Sequence, residues 1–236
     1  MLELIGIYIK NGGIRMREML ITIGILAIIF VGMIIYNRIR VDNVNTVSVE
    51  EIQNVEDSIT KVYLWREITK EAIPTFDNIN EANETWIWEA VKNNLENYEV
   101  TYEEIEGKAK EIFGEEFNKE FPKEGNSSFT YDEANNIYIA TEVELDQEED
   151  SFLLDNINKT DNGYEVEITE YLEDYSDENS IIIKTTNDEE IGRVAVDDSE
   201  TKIQEIVKSN IDRLTKKKVY LKSENNTLVI VKVERM

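Results

Sequence analysis

The chain has no cysteine and no histidine, and only two prolines among its 236 residues. Each absence removes a class of chemistry. Without histidine there is no Ser-His-Asp or Cys-His catalytic arrangement. Without either residue there is no His- or thiolate-ligated zinc, no disulfide and no thiol redox centre. The missing cysteines are compatible with either side of a membrane. Positive charge is scarce as well: 25 Lys and Arg stand against 50 Asp and Glu, a net charge of −25. All the acidic residues except Glu3 and Glu18 lie beyond residue 40, so the imbalance belongs to that part of the chain. Such a surface is repelled by a phosphate backbone, which argues against a nucleic-acid partner. It also stands off anionic lipid and keeps the domain in solution.

Charge of either sign is missing from one stretch, residues 19–36, which reads MLITIGILAIIFVGMIIY. Eleven of these eighteen residues are Leu, Ile, Val or Phe. As a helix the run spans about 27 Å, against a hydrocarbon core of about 30 Å, and Tyr36, Asn37 and Arg38 complete the fit at headgroup level. A cleaved signal peptide has a shorter apolar region followed by small residues; here NRIRVDNV follows, without an A-x-A-like site. With no cysteine to carry a lipid, the run itself is expected to be the anchor, a single transmembrane helix in the bilayer. Lys10, Arg15 and Arg17 precede it and Arg38 and Arg40 follow. The short N-terminal tail then predicts a signal anchor with the C-terminal domain outside the cytoplasm. Residues 1–18 are read as that tail. Asn11-Gly12-Gly13-Ile14-Arg15 is encodable by a ribosome-binding sequence, so translation is expected to start at Met16, leaving residues 1–15 untranslated.

Gly13, Glu18 five positions later and the apolar run after it form a pattern that resembles the type IV pilin leader. The resemblance covers about twenty residues. It implies cleavage after Gly13, Ile14 as the new N-terminus, and a pilin-like or secretion-apparatus subunit.

Beyond a polar juxtamembrane link at 37–47, residues 48–236 are expected to form an acidic α+β extracytoplasmic domain, helical over 48–121 and β-rich over 128–236. Ser48-x-x-Glu51 is a capping box, after which Ile52, Val55, Ile59, Val62, Tyr63 and Ile68 recur at helical spacing until Pro74 stops the helix. A second helix is predicted over about 81–96, and a third opens at Thr101-x-x-Glu104 with Ile105, Ala109, Ile112, Phe113 and Phe117 inward. Alternation and β-branched residues predict strands at 137–143, 164–171 and 180–185, with a turn at Asp161-Asn162-Gly163. Helical period returns over 200–214, with Lys216, Lys217 and Lys218 placed at its C-terminal end, where cations suit the helix dipole. A hairpin of 219–222 and 228–233 closes the chain. The order gives an antiparallel sheet with one further helix after a helical segment.

Candidate chemistry is thin. Ser199-x-x-Lys202 has the spacing of penicillin-recognising serine enzymes, but the same spacing recurs at Ser58-x-x-Lys61 and neither has the accompanying boxes; Ser199 reads as an N-cap. Residues 158–163 begin like a calcium loop, but Thr169 stands where the bidentate Glu belongs, so a hairpin turn is expected. Glu142, Glu144, Asp146, Glu148, Glu149 and Asp150 crowd one segment and are read as a solvated face. Trp86 and Trp88 lie two apart on a helix and cannot face one core together, so one is expected to pack on another element or lie partly exposed. The sequence thus names no catalytic, cofactor-binding or metal-ligating residue and no cofactor. The richness in Asn, Ile, Lys and Glu points to an AT-rich bacterial genome. The expectation is a non-enzymatic binding or interaction module at the bacterial cell envelope, with an unidentified envelope protein or ligand as partner. The alternatives are the pilin-like subunit and a carboxylate- or serine-based envelope hydrolase.

Overall fold

The computed structural model describes residues 47–142, 147–196 and 200–236. The proposed transmembrane run, the Met16 start and the leader pattern lie outside these residues. What is described is α+β, with helices and antiparallel sheets.

Both capping boxes form. Ser48 opens α1 (Val49–Thr60), its Oγ accepting from the Glu51 backbone N–H at 3.2 Å while Glu51 Oε2 accepts from the Ser48 N–H at 2.8 Å. Thr101 and Glu104 repeat the exchange at the head of α4 (Tyr102–Phe113). The first helix is shorter than its apolar spacing predicts. It stops at Thr60, and a separate turn, α2 (Arg66–Thr69), follows and ends on Lys70 in the left-handed region. The break has a physical reason. Trp86 is fully buried, and its indole N–H must find an acceptor. It donates to the carbonyls of Val62 at 2.9 Å and Ala72 at 3.2 Å, which a continuous helix would have kept for itself.

Helix α3 (Glu84–Asn93), capped by Asn83, carries both tryptophans, and both are buried. Partial exposure of one is not observed. The helix is enclosed on several sides at once: Trp86 lies against Phe76 and Phe113, whereas Trp88 meets Phe117 and Phe121 edge-on. Phe121 in turn packs on Phe129 and Tyr138 of a small sheet ordered β1 (Glu99–Val100), β3 (Ile137–Ala140), β2 (Phe129–Asp132).

The larger sheet is organised by one long strand. Strand β4 (Glu148–Thr160) runs along one edge of β5 (Gly163–Asp177). The other edge of β5 is shared: its first half pairs with β8 (Thr215–Glu224), its second half with β6 (Ser180–Lys184). Beyond these lie β9 (Thr227–Arg235) and β7 (Glu190–Ala195). Helices α1 and α4 lie against β9; α5 (Glu200–Ser209) lies against β6 and β7, where Ile203 and Val207 join Leu153, Tyr171, Ile183 and Val194 in one apolar cluster. The last helix is five residues shorter at its C-terminal end than predicted. Asn210 ends it by donating its side-chain amide to the Ile206 carbonyl at 2.9 Å, and a 3-10 turn (Ile211–Arg213) follows. Lys216, Lys217 and Lys218 are therefore strand residues of β8, not a helix terminus. They lie opposite the acidic β5, where Lys218 reaches Glu167 at 3.6 Å.

Lys217 points inward. It is 4% exposed, and Nζ donates to the Ile73 carbonyl at 2.5 Å and lies 3.1 Å from Glu170 Oε2 and 3.4 Å from Glu71 Oε2. Glu170 is 3% exposed, and its other oxygen lies 3.4 Å from the Tyr63 hydroxyl. The segment after α2 is thereby tied to the sheet, and the Phe76–Val233 bridge continues the tie to β9. Removing one partner of such a pair strands a charge. Lys217→Met should lower unfolding free energy by about 3–5 kcal/mol, and Lys217→Met combined with Glu170→Leu should recover most of it, as read by urea denaturation.

The β4–β5 turn imposes a second constraint. Gly163 pairs with Lys222 so closely that a Cβ would lie 1.9 Å from the Leu221 carbonyl oxygen. Gly163→Ala should cost at least about 2 kcal/mol in the same measurement, more than a surface glycine substitution.

Candidate functional site

A cleft of about 640 Å³ opens between α2, α3 and the edge of the small sheet. Its floor is a charge set into an apolar helix. Glu89 sits mid-way along α3 between Trp88 and Ala90, and its side chain is 3% exposed. Lys92, one turn on, places Nζ 2.6 Å from Glu89 Oε2, an ion contact outside hydrogen-bond geometry, and donates to the Thr141 carbonyl at 3.2 Å. Buried Glu89 Oε2 receives no hydrogen bond from the described residues. Trp65, the N-cap of α2, and Ile68 within it line the cleft together with Leu95 and Tyr98. Tyr98 is 52% exposed, and partial desolvation together with the Glu142 carboxylate that accepts its hydroxyl raises its pKa. Glu96 and Glu142 stand at the rim.

The volume falls within the range of small-ligand sites, and the mixture of aromatic walls with a recessed charge is that of a binding cleft. Nothing in the sequence reading named it. The signal was present: a single carboxylate inside the run Trp86–Val91, all of it buried, with Lys92 at i+3 within reach of it.

Two other hollows are built differently. One of about 260 Å³ holds the Lys217–Glu170 pair and Arg66. The Arg66 backbone N–H donates to Asp150 Oδ2 at 2.8 Å; its guanidinium meets Asp188 Oδ1 at 2.8 Å and Glu148 Oε2 at 3.5 Å and donates to the Thr186 carbonyl. Lys184 extends the chain from Glu148 at 2.5 Å to Asp174 at 2.6 Å. These groups satisfy one another, so this is a structural network. The other, about 520 Å³, lies beside the 160–163 and 224–227 turns and is lined mainly by polar and charged residues; its Tyr164 is buried, with the hydroxyl given to Glu51 at 2.8 Å.

The sequence candidates fall as follows. Ser58 donates its hydroxyl to the Asn54 carbonyl at 2.7 Å and is an ordinary helix residue. Ser199 lies outside the described residues. Residues 158–160 are strand and 161–163 turn into β5, so the calcium-loop spacing is a hairpin, as expected. Of the acidic segment, Glu144 and Asp146 lie outside the described residues. Glu148 and Asp150 are not a solvated face: both are partly buried around Arg66. Among the described residues no three Asp or Glu are placed to hold a metal ion, and no helix is long and apolar enough to cross a membrane. Compared with known protein families, curated proteins and solved structures, the chain matches none.

The network sets opposite pH signs. Burial raises Glu170 and Asp150, outweighing Lys217 and Arg66 respectively. For Asp174 burial also pushes upward, but hydrogen bonds from Lys184 and Ser176 outweigh it and hold the carboxyl at about 2. A raised folded value gives stability that is full below the ordinary carboxylate range and is lost as pH rises through the folded value; a depressed one gives stability present above that range and lost as pH falls toward about 2. Thermal stability should therefore peak on the acid side of neutrality and fall below about pH 4. Asp174→Asn should flatten the acid limb and Glu170→Gln the limb towards neutral pH, as read by melting temperature across pH 2–8.

Proposed function

We propose that this is a single-pass membrane-anchored protein whose acidic α+β domain is a non-enzymatic binding module at the bacterial cell envelope, outside the cytoplasm. The observation that carries the anchor is the uncharged run over residues 19–36. The binding part of the reading is supported by the cleft beside Glu89, which has aromatic walls and a recessed charge. The domain's net negative charge favours partners other than nucleic acid. A second reading, a pilin-like or secretion-apparatus subunit, is favoured by Gly13 and Glu18 ahead of that run; it requires the mature chain to begin at Ile14.

Fractionation tests the proposal directly. The full-length protein should remain in the membrane pellet through high salt and alkaline carbonate and dissolve only with detergent. Protease applied to intact cells should release peptides from residues 200–236. Recovery of the full-length protein in the soluble fraction without detergent would overturn the anchor, and protection of those peptides until lysis would reverse the topology. Mass spectrometry of the N-terminus separates the pilin-like reading, for which cleavage after Gly13 is required.

A further inference from the structure

The Glu89 cleft has a chemistry that narrows what it accepts. Its charged lining is three carboxylates, Glu89, Glu96 and Glu142, against one ammonium, Lys92. That ammonium is already engaged, by Glu89 at 2.6 Å and the Thr141 carbonyl at 3.2 Å. An anionic ligand would meet net negative charge without a free cation to receive it. A cation meets net negative charge and, at Trp65 and Tyr98, aromatic rings whose faces also favour positive charge. A bare metal ion does not fit: the walls are Trp65, Ile68, Leu95 and Tyr98, and the space is far larger than one ion. Lys92 itself shows the recognition at work, since it is an alkylammonium seated against the buried carboxylate and a carbonyl oxygen.

We infer that the cleft binds an organic ammonium group, a primary or methylated amine carried on a carbon chain, with the charge facing Glu89, Glu96 and Glu142 and the carbon skeleton against Trp65 and Tyr98. The inference rests on reading the domain as a binding module and names its ligand class. The same group occurs on a free polyamine or on a lysine side chain of a peptide, and the test has an arm for each.

Trp65 makes the test specific. The chain has three tryptophans, and Trp86 and Trp88 are 0% and 2% exposed, so Trp65, partly buried in the cleft wall, is the one a soluble ligand reaches. Full-length protein in neutral detergent micelles is titrated at fixed ionic strength with n-butylammonium, spermidine and a Lys-Lys-Lys peptide, and with butyrate and n-butanol as anionic and neutral counterparts. Tryptophan emission and calorimetry are the readouts. The expected result is a saturable change with the ammonium probes, absent with butyrate. The apparent Kd should be raised about fivefold by Tyr98→Ala and about tenfold by the combined Glu96→Gln, Glu142→Gln variant. All three sites are at the exposed rim, and circular dichroism confirms that the variants are folded. Stronger saturation by the peptide than by spermidine assigns the source to a protein, and the reverse assigns it to a free amine. No saturable response to any ammonium probe, or one unchanged in both variants, overturns the inference. Saturation by butyrate or n-butanol instead overturns the ammonium class while leaving the binding module standing; silence from every probe removes both at this cleft.

Discussion

One buried ammonium, that of Lys217, fixes how the helical segment lies against the sheet. A lysine on a strand reaches a main-chain carbonyl, Ile73 O, in the segment that follows α2, and the carboxylate that neutralises it, Glu170, comes from the neighbouring strand. The contact joins elements more than a hundred residues apart in sequence. Its geometry is demanding, because an ammonium taken from water must recover nearly all of its solvation from fixed groups. Trp86 works in the same way a few residues off, holding the carbonyls of Val62 and Ala72 together. Between them these two donors determine where α2 lies. Trp65, the N-cap of α2, and Ile68 within it line the Glu89 cleft, so the shape of that cleft depends on these bonds.

That dependence explains which parts of the fold were legible in the sequence. Capping boxes at Ser48 and Thr101 are local, and both were visible because their residues lie three apart. The 161–163 turn was equally local. The end of α1 at Thr60 was not, since the apolar spacing continues through Val62 and Tyr63 and the reason for stopping is an indole donor more than twenty residues later. The turn implied a strand before it, but the extent of β4 was not legible because its residues carry Asp, Glu and Asn; they are drawn into the sheet by Arg66, by Lys184 and by pairing with β5. The three lysines at 216–218 were misplaced for a related reason. Next to a predicted helix they look like a C-terminal cation cluster, whereas the strand opposite supplies the acids that hold them.

The charge balance has two layers. Much of the net −25 is solvated, but part of it is organised: Arg66 gathers Asp150, Asp188 and Glu148, and Lys184 joins Glu148 to Asp174. Cations are rare in this chain, and several of them are spent on internal acids. The Glu89 cleft departs from this pattern. It contains more carboxylates than its single lysine can neutralise, beside aromatic side chains that gain nothing from facing water. Glu89 is paired with Lys92, and the excess lies on the exposed Glu96 and Glu142, within reach of solvent.

Under the proposed topology the anchor and the cleft would complement each other. An exposed ammonium site of this kind binds weakly in solution, because a cation–π contact and rim carboxylates contribute about 1 kcal/mol each at most in contact with water. Tethering changes what weak means. A module held within a short link of the lipid meets its envelope partner at an effective concentration set by the link, not by the bulk. The acidic surface would keep the domain off anionic headgroups, leaving the cleft open to the space beyond the bilayer. The same surface charge raises the local concentration of cations around the domain. On that proposal an acidic body, a cation-accepting cleft and a membrane tether would be three parts of one arrangement, each compensating for what the other two lack in affinity.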